Sequence, residues 1–423
     1  VVRANLGTTT TGSNVPGGMY GWEQHVGTVA AQQSYTSGGA PIGDRYFFDL
    51  PDDHFMMPGD VFEYYIEAWD DLGNTTTLPG NLAGFDDDDA ATPLAYNRTW
   101  TMRGLPTYTN ANGDHPTTLL WNDFGRRGGE AELLSAFSQN GLFEGIDYDS
   151  YTTQGPSSLV SNGLGSAGIH GASADQLDGY GCIIYDGGDL ASGLISDGSN
   201  TGNSDKGDDV ESMLSWFNAP GKDRNVAHWA DELAFMLTGA SDPDAGTYLG
   251  TVMNAVYVAK DVRPVIGNQT APKVIPTGGL AGFSEEYLAY GGCLQINTFD
   301  QVTPGAGAIA THGFEIAGSP GTTYSTAVAA AGIYNQIDVP ADPGPPAIPA
   351  ATKKAFSFPY GFLYINHPTS KVDPGNPSAR SVLLAEVLTS FGAAHQPNPG
   401  AAVAAPSYEK SVVHANYPNP FNP

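Results

Sequence analysis

Alternation of apolar and polar positions is clearest in the stretch GDVFEYYIEAWDDLGNTTTLP. Phe62, Tyr64, Ile66 and Ala68 fall on one face and Val61, Glu63, Tyr65 and Glu67 on the other, the period-2 pattern of a half-buried strand. The Asp70–Asn74 segment that follows predicts a hairpin turn. Residues 1–40, rich in Thr, Gly and Ser, predict an arm of loop or edge strand. Beyond the hairpin, GFDDDDAATPLAYNRTWTMRGLPT predicts a linker with a closing strand at Arg98–Arg103.

The pattern then changes. TTLLWND is followed by GGEAELLSAFSQNG, IDYDSY stands alone, GCIIYDGGD is followed by KGDDVESMLSWFNAPG, and RNVAHWAD by ELAFMLTGA. Short apolar runs alternating with helix-period segments predict a parallel sheet covered by helices on both sides. Near the end, KKAFSFPYGFLYINHP predicts another strand. NPSARSVLLAEVLTSFG predicts a helix with Ser381, Leu384, Leu388 and Phe391 on one face and a Gly stop. Between residues 262 and 350, Gly and Pro are frequent and helix signals few, which predicts a large β-rich insertion.

The expected organisation is an arm at 1–40, a β module at 41–104, a linker at 105–114, an α/β domain at 115–392 and a Pro/Ala-rich tail at 393–423. Composition agrees with a folded chain: 423 residues are 40% hydrophobic and 11% aromatic, enough to fill ordinary cores. The 54 Gly and 31 Pro call for many short turns and argue against helix bundles. A formal charge of −28, from 17 basic and 45 acidic residues, argues against nucleic acid and anionic membranes as partners. No apolar run approaches the ~20 residues a transmembrane helix needs. The opening VVRANLG lacks a signal pattern, so a processed or truncated start is expected.

Three stretches resemble known families. Residues 42–80, with EYYIEAWDDLGN, resemble the last strands of immunoglobulin-like or fibronectin-type-III-like modules of secreted bacterial proteins. Residues 115–392, with YDGGDL and FPYGF…RSVLLAEVLTSFG, resemble class I glutamine-amidotransferase-like domains. That resemblance implies a flavodoxin-like fold, several examples of which are non-catalytic units of secreted proteins. NYPNPFNP at the end resembles the opening of the C-terminal sorting module of type IX secretion, which implies export across the outer membrane.

Chemistry is harder to read. A hydrolase on this fold would need Cys or Ser at a tight strand-to-helix elbow. Cys182 instead opens a strand, and Cys293 in YGGCLQI has no following helix. The two cysteines either pair in an oxidising compartment or stay as separate buried thiols. His170-Gly171 and His312-Gly313 resemble the His-Gly of caspase- and gingipain-like peptidases, a pattern that would need a Cys after the next strand. Asp186 and Asp189 in YDGGD stand at the carboxyl end of a predicted strand, where open α/β sheets place ligands. No His or Cys spacing suits zinc.

SDGSNTGNSDKGDD gathers Asp197, Asn200, Asn203, Asp205, Asp208 and Asp209 in one Gly-rich loop, a candidate Ca²⁺ site. The alternative reading has Asp205 or Asp208 capping a helix that begins near Asp209. The Asp86–Asp89 run is a second acidic candidate, read also as a solvated linker. Asn74, Asn97 and Asn268 begin N-x-T sequons. These features lead to an exported structural protein without catalytic activity that self-assembles into a filament, tube or sheath through terminal arms and sheet edges. The alternatives are a secreted, peptidase-like hydrolase, or a monomeric adhesion or carbohydrate-binding protein using Trp22, Trp69 or Trp100.

Overall fold

The computed structural model of the chain describes residues 2–4, 23–25, 32–35, 39–47, 61–64, 66–78, 100–107, 114–123, 129–152, 177–188, 195, 208–240, 242–290, 299–368 and 377–392. The chain divides into two units, Val1–His115 with Asn398–Pro423, and Pro116–Pro397. Among the described residues no helix is long and apolar enough to cross a membrane.

In the first unit, Val2–Ala4 lies between Glu23–His25 and Val61–Tyr64, and Trp100–Arg103 completes a four-stranded antiparallel sheet. Gln32–Tyr35 pairs with Pro41–Phe47 in a separate hairpin. The alternating stretch is split: after Val61–Tyr64 the chain starts a new strand, Ile66–Trp69, which pairs with Thr75–Leu78. The turn joining them is built by Asp70, whose Oδ1 accepts the amides of Leu72 at 2.9 Å and Asn74 at 2.8 Å. Gly73 there has φ 83°, a conformation that favours glycine.

The second unit carries the larger sheet, whose elements are numbered within the unit. In chain order they are β1 (Thr118–Asn122), α1 (Glu130–Gln139), β2 (Tyr148–Thr152), β3 (Cys182–Gly188), α2 (Asp209–Asn218) and β4 (Arg224–Ala230). Then come α3 (Leu233–Gly239), α4 (Pro243–Thr247), a π-helical turn (Tyr248–Met253), β5 (Ala255–Ala259), β6 (Lys273–Pro276), β7 (Tyr287–Ala289) and β8 (Gln301–Pro304). The last are β9 (Ile309–Phe314), β10 (Gly332–Val339), β11 (Ala351–Phe358), β12 (Ile365–Asn366) and α5 (Ala379–Phe391).

Ten of the strands form one mixed sheet in the order β2-β1-β3-β4-β11-β10-β9-β6-β7-β12. From β2 to β11 neighbours are parallel, as the strand–helix alternation predicts. From β11 onward they are antiparallel. The β-rich stretch 262–350 therefore extends the sheet: β6, β7, β9 and β10 all join it. Among its described residues no α-helix is present to cross a sheet face, which suits antiparallel pairing. β5 and β8 form a two-stranded ribbon of their own.

β1, β3 and β4 are buried at every position, the mark of strands covered on both faces. One face presents Leu120, Ile184, Trp229 and Phe356 to Leu133 and Phe137 of α1 and to Leu384, Leu388 and Phe391 of α5. Trp229 stacks on Phe358 with centroids 5.0 Å apart. Each such side chain is worth roughly 1.5–3 kcal/mol of burial, so this layer anchors both helices. α5 begins at Ser378, which accepts the amide of Ser381, and ends at Gly392 with φ 74°, the cap chemistry its sequence announces.

Candidate functional site

Open α/β sheets bind ligands beyond the carboxyl ends of their parallel strands, and there the buried acidic residues collect. Asp186 near the end of β3 is fully buried. Its Oδ2 accepts the amide of Gly129, the N-cap of α1, at 2.7 Å, while Oδ1 has no hydrogen-bond partner. Burial pushes its carboxyl up to about 7, against the pull of the Gly129 and Gly188 amides. Gly129 is required by the close approach: a Cβ there would lie 2.9 Å from Phe362 Cβ and 3.2 Å from Asp186 Oδ1. Beside it, Asp123 Oδ2 accepts the Tyr185 hydroxyl at 2.8 Å and the Ile195 amide at 2.9 Å.

The turn after β4 has the shape of an elbow without a nucleophile. Glu232 adopts φ 58° and ψ 10° between the strand and α3, a left-handed conformation that costs a non-glycine residue about 1–3 kcal/mol. Its carboxylate pairs with Lys260 at 3.2 Å. One backbone N–H that follows is taken by the chain itself: Asp300 Oδ2 accepts the Phe235 amide at 2.9 Å. Asp300 Oδ1 is buried without a hydrogen-bond partner, and the residue lines a small recess with Ala230, Met253, Ser357, Phe358 and Pro359.

His228 and Ser357 stand near this recess, at 3.4 Å from Nδ1 to Oγ. They do not form a nucleophile–base pair. Nδ1 also faces the Phe356 carbonyl at 2.9 Å, which fixes it as the donor, and Nε2 accepts from the Tyr248 hydroxyl at 2.6 Å. With both nitrogens committed and burial lowering its pKa to about 4, the imidazole is a neutral structural link.

The residues singled out from sequence fare differently. Cys182 is the first residue of β3, at the strand's amino end, fully buried, with its thiol pushed up to about 12 by desolvation. His312 lies in β9, packed among the rings of Phe283, Tyr287 and Phe358, and burial holds its pKa down to about 3. An imidazole so placed is no general base for an exposed peptide bond. Asp208 caps α2, its Oδ1 accepting the Glu211 amide at 2.8 Å, the capping alternative to calcium. Asp209 is buried in the first turn of α2.

His170, Asp189, Asp197, Asn200, Asn203, Asp205 and Cys293 lie outside the described residues, as do Trp22, Asn97 and Asp86–Asp89. Among the described residues no group of three or more His, Cys, Asp or Glu is placed to hold a metal ion. Glu232, Asp300 and Asp123 were not singled out from sequence. The run HWADELAF carries a signal for Glu232, an acidic pair between a strand and a helix. Nothing adjacent to Asp300 announces that it will reach α3, 65 residues back in the chain.

No protein-family model and no curated protein matches the chain. Among solved structures it is similar to cytoplasmic protein STM3548 from Salmonella typhimurium, at 10% identity over 65% of this chain and 98% of that one. The TM-score is 0.34, a likeness that carries no argument about fold or function.

Proposed function

We propose that the chain is an exported, non-catalytic structural protein whose α/β unit keeps the frame of an amidotransferase-like domain without its chemistry. The frame is supported by the parallel half of the sheet: taken in chain order, β2-β1-β3-β4-β11 reads 2-1-3-4-5, the flavodoxin-like order. The antiparallel pairing in the first unit supports an immunoglobulin-like module there, and NYPNPFNP supports export.

The observation that carries the non-catalytic reading is the elbow after β4. A hydrolase would place Ser or Cys at such a turn and leave the following amides to an oxyanion. Here Glu232, neither Ser nor Cys, holds the turn, and Asp300 takes the Phe235 amide in the first turn of α3.

Self-assembly through terminal arms and sheet edges completes the reading. Val2–Ala4 pairs with Val61–Tyr64 of its own chain, and exchanging that strand between copies would link them without any new kind of contact. Electron microscopy of native secreted material, with and without chelator, tests this: filaments or tubes are expected. Loss of order with chelator would assign calcium to the Asp197–Asp209 loop, and dispersed single particles would end the polymer reading.

One observation favours a hydrolase instead. Asp186 is buried between the carboxyl ends of β1 and β3, where the strand order reverses, with its carboxyl near 7, a setting shared with catalytic acids. Peptidase or amidase turnover that disappears in Asp186→Asn with the fold intact would establish that reading and displace the structural one.

A further inference from the structure

The large apolar side chains that the second unit exposes gather at one place. Among the described residues of that unit they are Val256, 51% exposed, Val258, 50%, and Val328, 46%. The first two alternate along β5. Val328 stands beside β8, where its carbonyl accepts Gln301 Nε2 at 2.8 Å and the Ala330 amide donates to the Val302 carbonyl at 2.9 Å. One exposed valine is ordinary, but three on one ribbon make a patch.

β5 is also an edge. Its ladder runs to β8 and, among the described residues, to no other strand, so one side of its backbone is left to template a further one. Phe235 of α3 packs against Tyr257 with ring centroids 5.9 Å apart, on the face opposite the valines. The occupant is written in the strand itself: Ala255-Val256-Tyr257-Val258-Ala259 reads the same in both directions. Antiparallel pairing sets a strand against its own reverse, so a two-fold axis at Tyr257 places Val256 of each copy opposite Val258 of the other, and Ala255 opposite Ala259. Charge favours the same contact. The chain carries −28, yet residues 245–259 contain no charged residue, so two copies meet there with least repulsion. The register shift against β8 between Tyr257 and Ala259 bends β5, and in a two-fold pair both strands carry the same bend.

We propose that β5 is the contact strand of a two-fold dimer, in which the β5–β8 ribbons of two copies join edge to edge as one antiparallel sheet of order β8-β5-β5-β8. Val256 and Val258 then cover their counterparts on the second copy. Five residues a side fall short of the ~1,200–2,000 Å² that a stable interface buries, so the dimer is weak on its own and forms at high protein concentration or within a larger assembly. The contact is closed and isologous, and it needs no exchange of Val2–Ala4.

Disulfide trapping on the full chain, carrying Cys293→Ser, tests the register. Val256→Cys and Val258→Cys proteins, oxidised together, should yield a mixed dimer, since directly opposite residues have Cβ atoms about 4.5–5.5 Å apart. Each variant oxidised alone should yield at least tenfold less, because its cysteines are diagonal, about 7–8 Å apart and beyond disulfide reach. Equal yields in mixed and separate samples would overturn the pairing. Sedimentation of the parent should show a monomer–dimer equilibrium with a Kd below ~1 mM, abolished in Val258→Lys, which changes an exposed side chain and should leave the circular dichroism and melting of the fold unaltered. A parent that stays monomeric, or a dimer that survives Val258→Lys, would overturn the proposal. The mixed disulfide in particles that form no filament supports the β5 contact all the same, which separates its fate from that of the arm exchange.

Discussion

Lys353 and Lys354, consecutive in β11, close helices on opposite faces of the same sheet. Lys353 donates to the carbonyls of Phe217 and Ala219 at the end of α2, and Lys354 donates to the Ser390 carbonyl at the end of α5, 2.6 Å away. Neither helix carries a basic residue in its own last turn. The strand supplies the cations that helix C-termini favour, and period-2 alternation sends one to each layer.

Replacing these lysines should therefore cost unequally. Lys353 is 3% exposed, and Lys353→Met leaves buried carbonyls bare, at about 1–3 kcal/mol. Lys354→Met, at a half-buried position, should cost about 0.5–1 kcal/mol. Urea midpoints at constant slope measure both, and equal losses would show that Lys353 is not a buried cap.

Four buried groups set opposing pH dependences. His228 and His312 fall from 6.5 to about 4 and about 3, so the native state binds fewer protons than the unfolded one. Their contribution is complete above 6.5 and is lost as pH falls. Asp186 and Asp300 rise from 3.8 to about 7, so the native state binds more protons, and their contribution is present below 3.8 and lost as pH rises through 7. Each group changes stability by about 1.4 kcal/mol per pH unit inside its window. Between pH 4 and 6.5 the pairs cancel. His312→Leu should tilt that plateau so that stability falls with pH, and Asp300→Asn should tilt it the other way. Denaturation series at several pH values decide, and tilts of the same sign would refute the assignment.

Two glycines separate close approach from open space. Gly129→Ala puts a Cβ 2.9 Å from Phe362 Cβ and 3.1 Å from Leu363 N, and should destabilise by about 1–3 kcal/mol. Gly246→Ala, in α4 with nothing within 4 Å, should be neutral or stabilise by up to about 1 kcal/mol. Thermal melts of the two variants provide the comparison.

Cys182 should resist alkylation in the native chain and react only after unfolding, because its thiol is fully buried and raised to about 12. Peptide mapping after iodoacetamide treatment with and without denaturant reads this directly. Rapid native modification would place the thiol at the surface and reopen it as a nucleophile.

Much of the second unit was legible. The runs TTLLWND, GCIIYDGGD and RNVAHWAD became β1, β3 and β4 because uninterrupted apolar stretches suit strands covered on both faces. The Asp208 cap, the Gly392 stop of α5 and the Asp70 turn were legible because each depends on residues a few positions apart. The antiparallel half of the sheet was not, since short β-runs with Gly/Pro turns show pairing without showing which sheet they join. The acidic elbow stayed hidden for a related reason: Glu232 and Asp300 meet only after the sheet has formed, and a positive φ at Glu leaves no trace in composition.

The change of direction at β11 also orders how the chain is built in time. β9, β10 and β11 follow one another closely and pair as a meander, whereas β4 meets β11 across a long excursion, with His228 and Phe356 128 residues apart. Closing that excursion is the slow, entropically expensive step. The meander is thus the early-forming template on which β4, and through it β3, β1 and β2, must dock. A chain interrupted before β11 would hold four parallel strands with no partner beyond β4, exposing their central edge to aggregation.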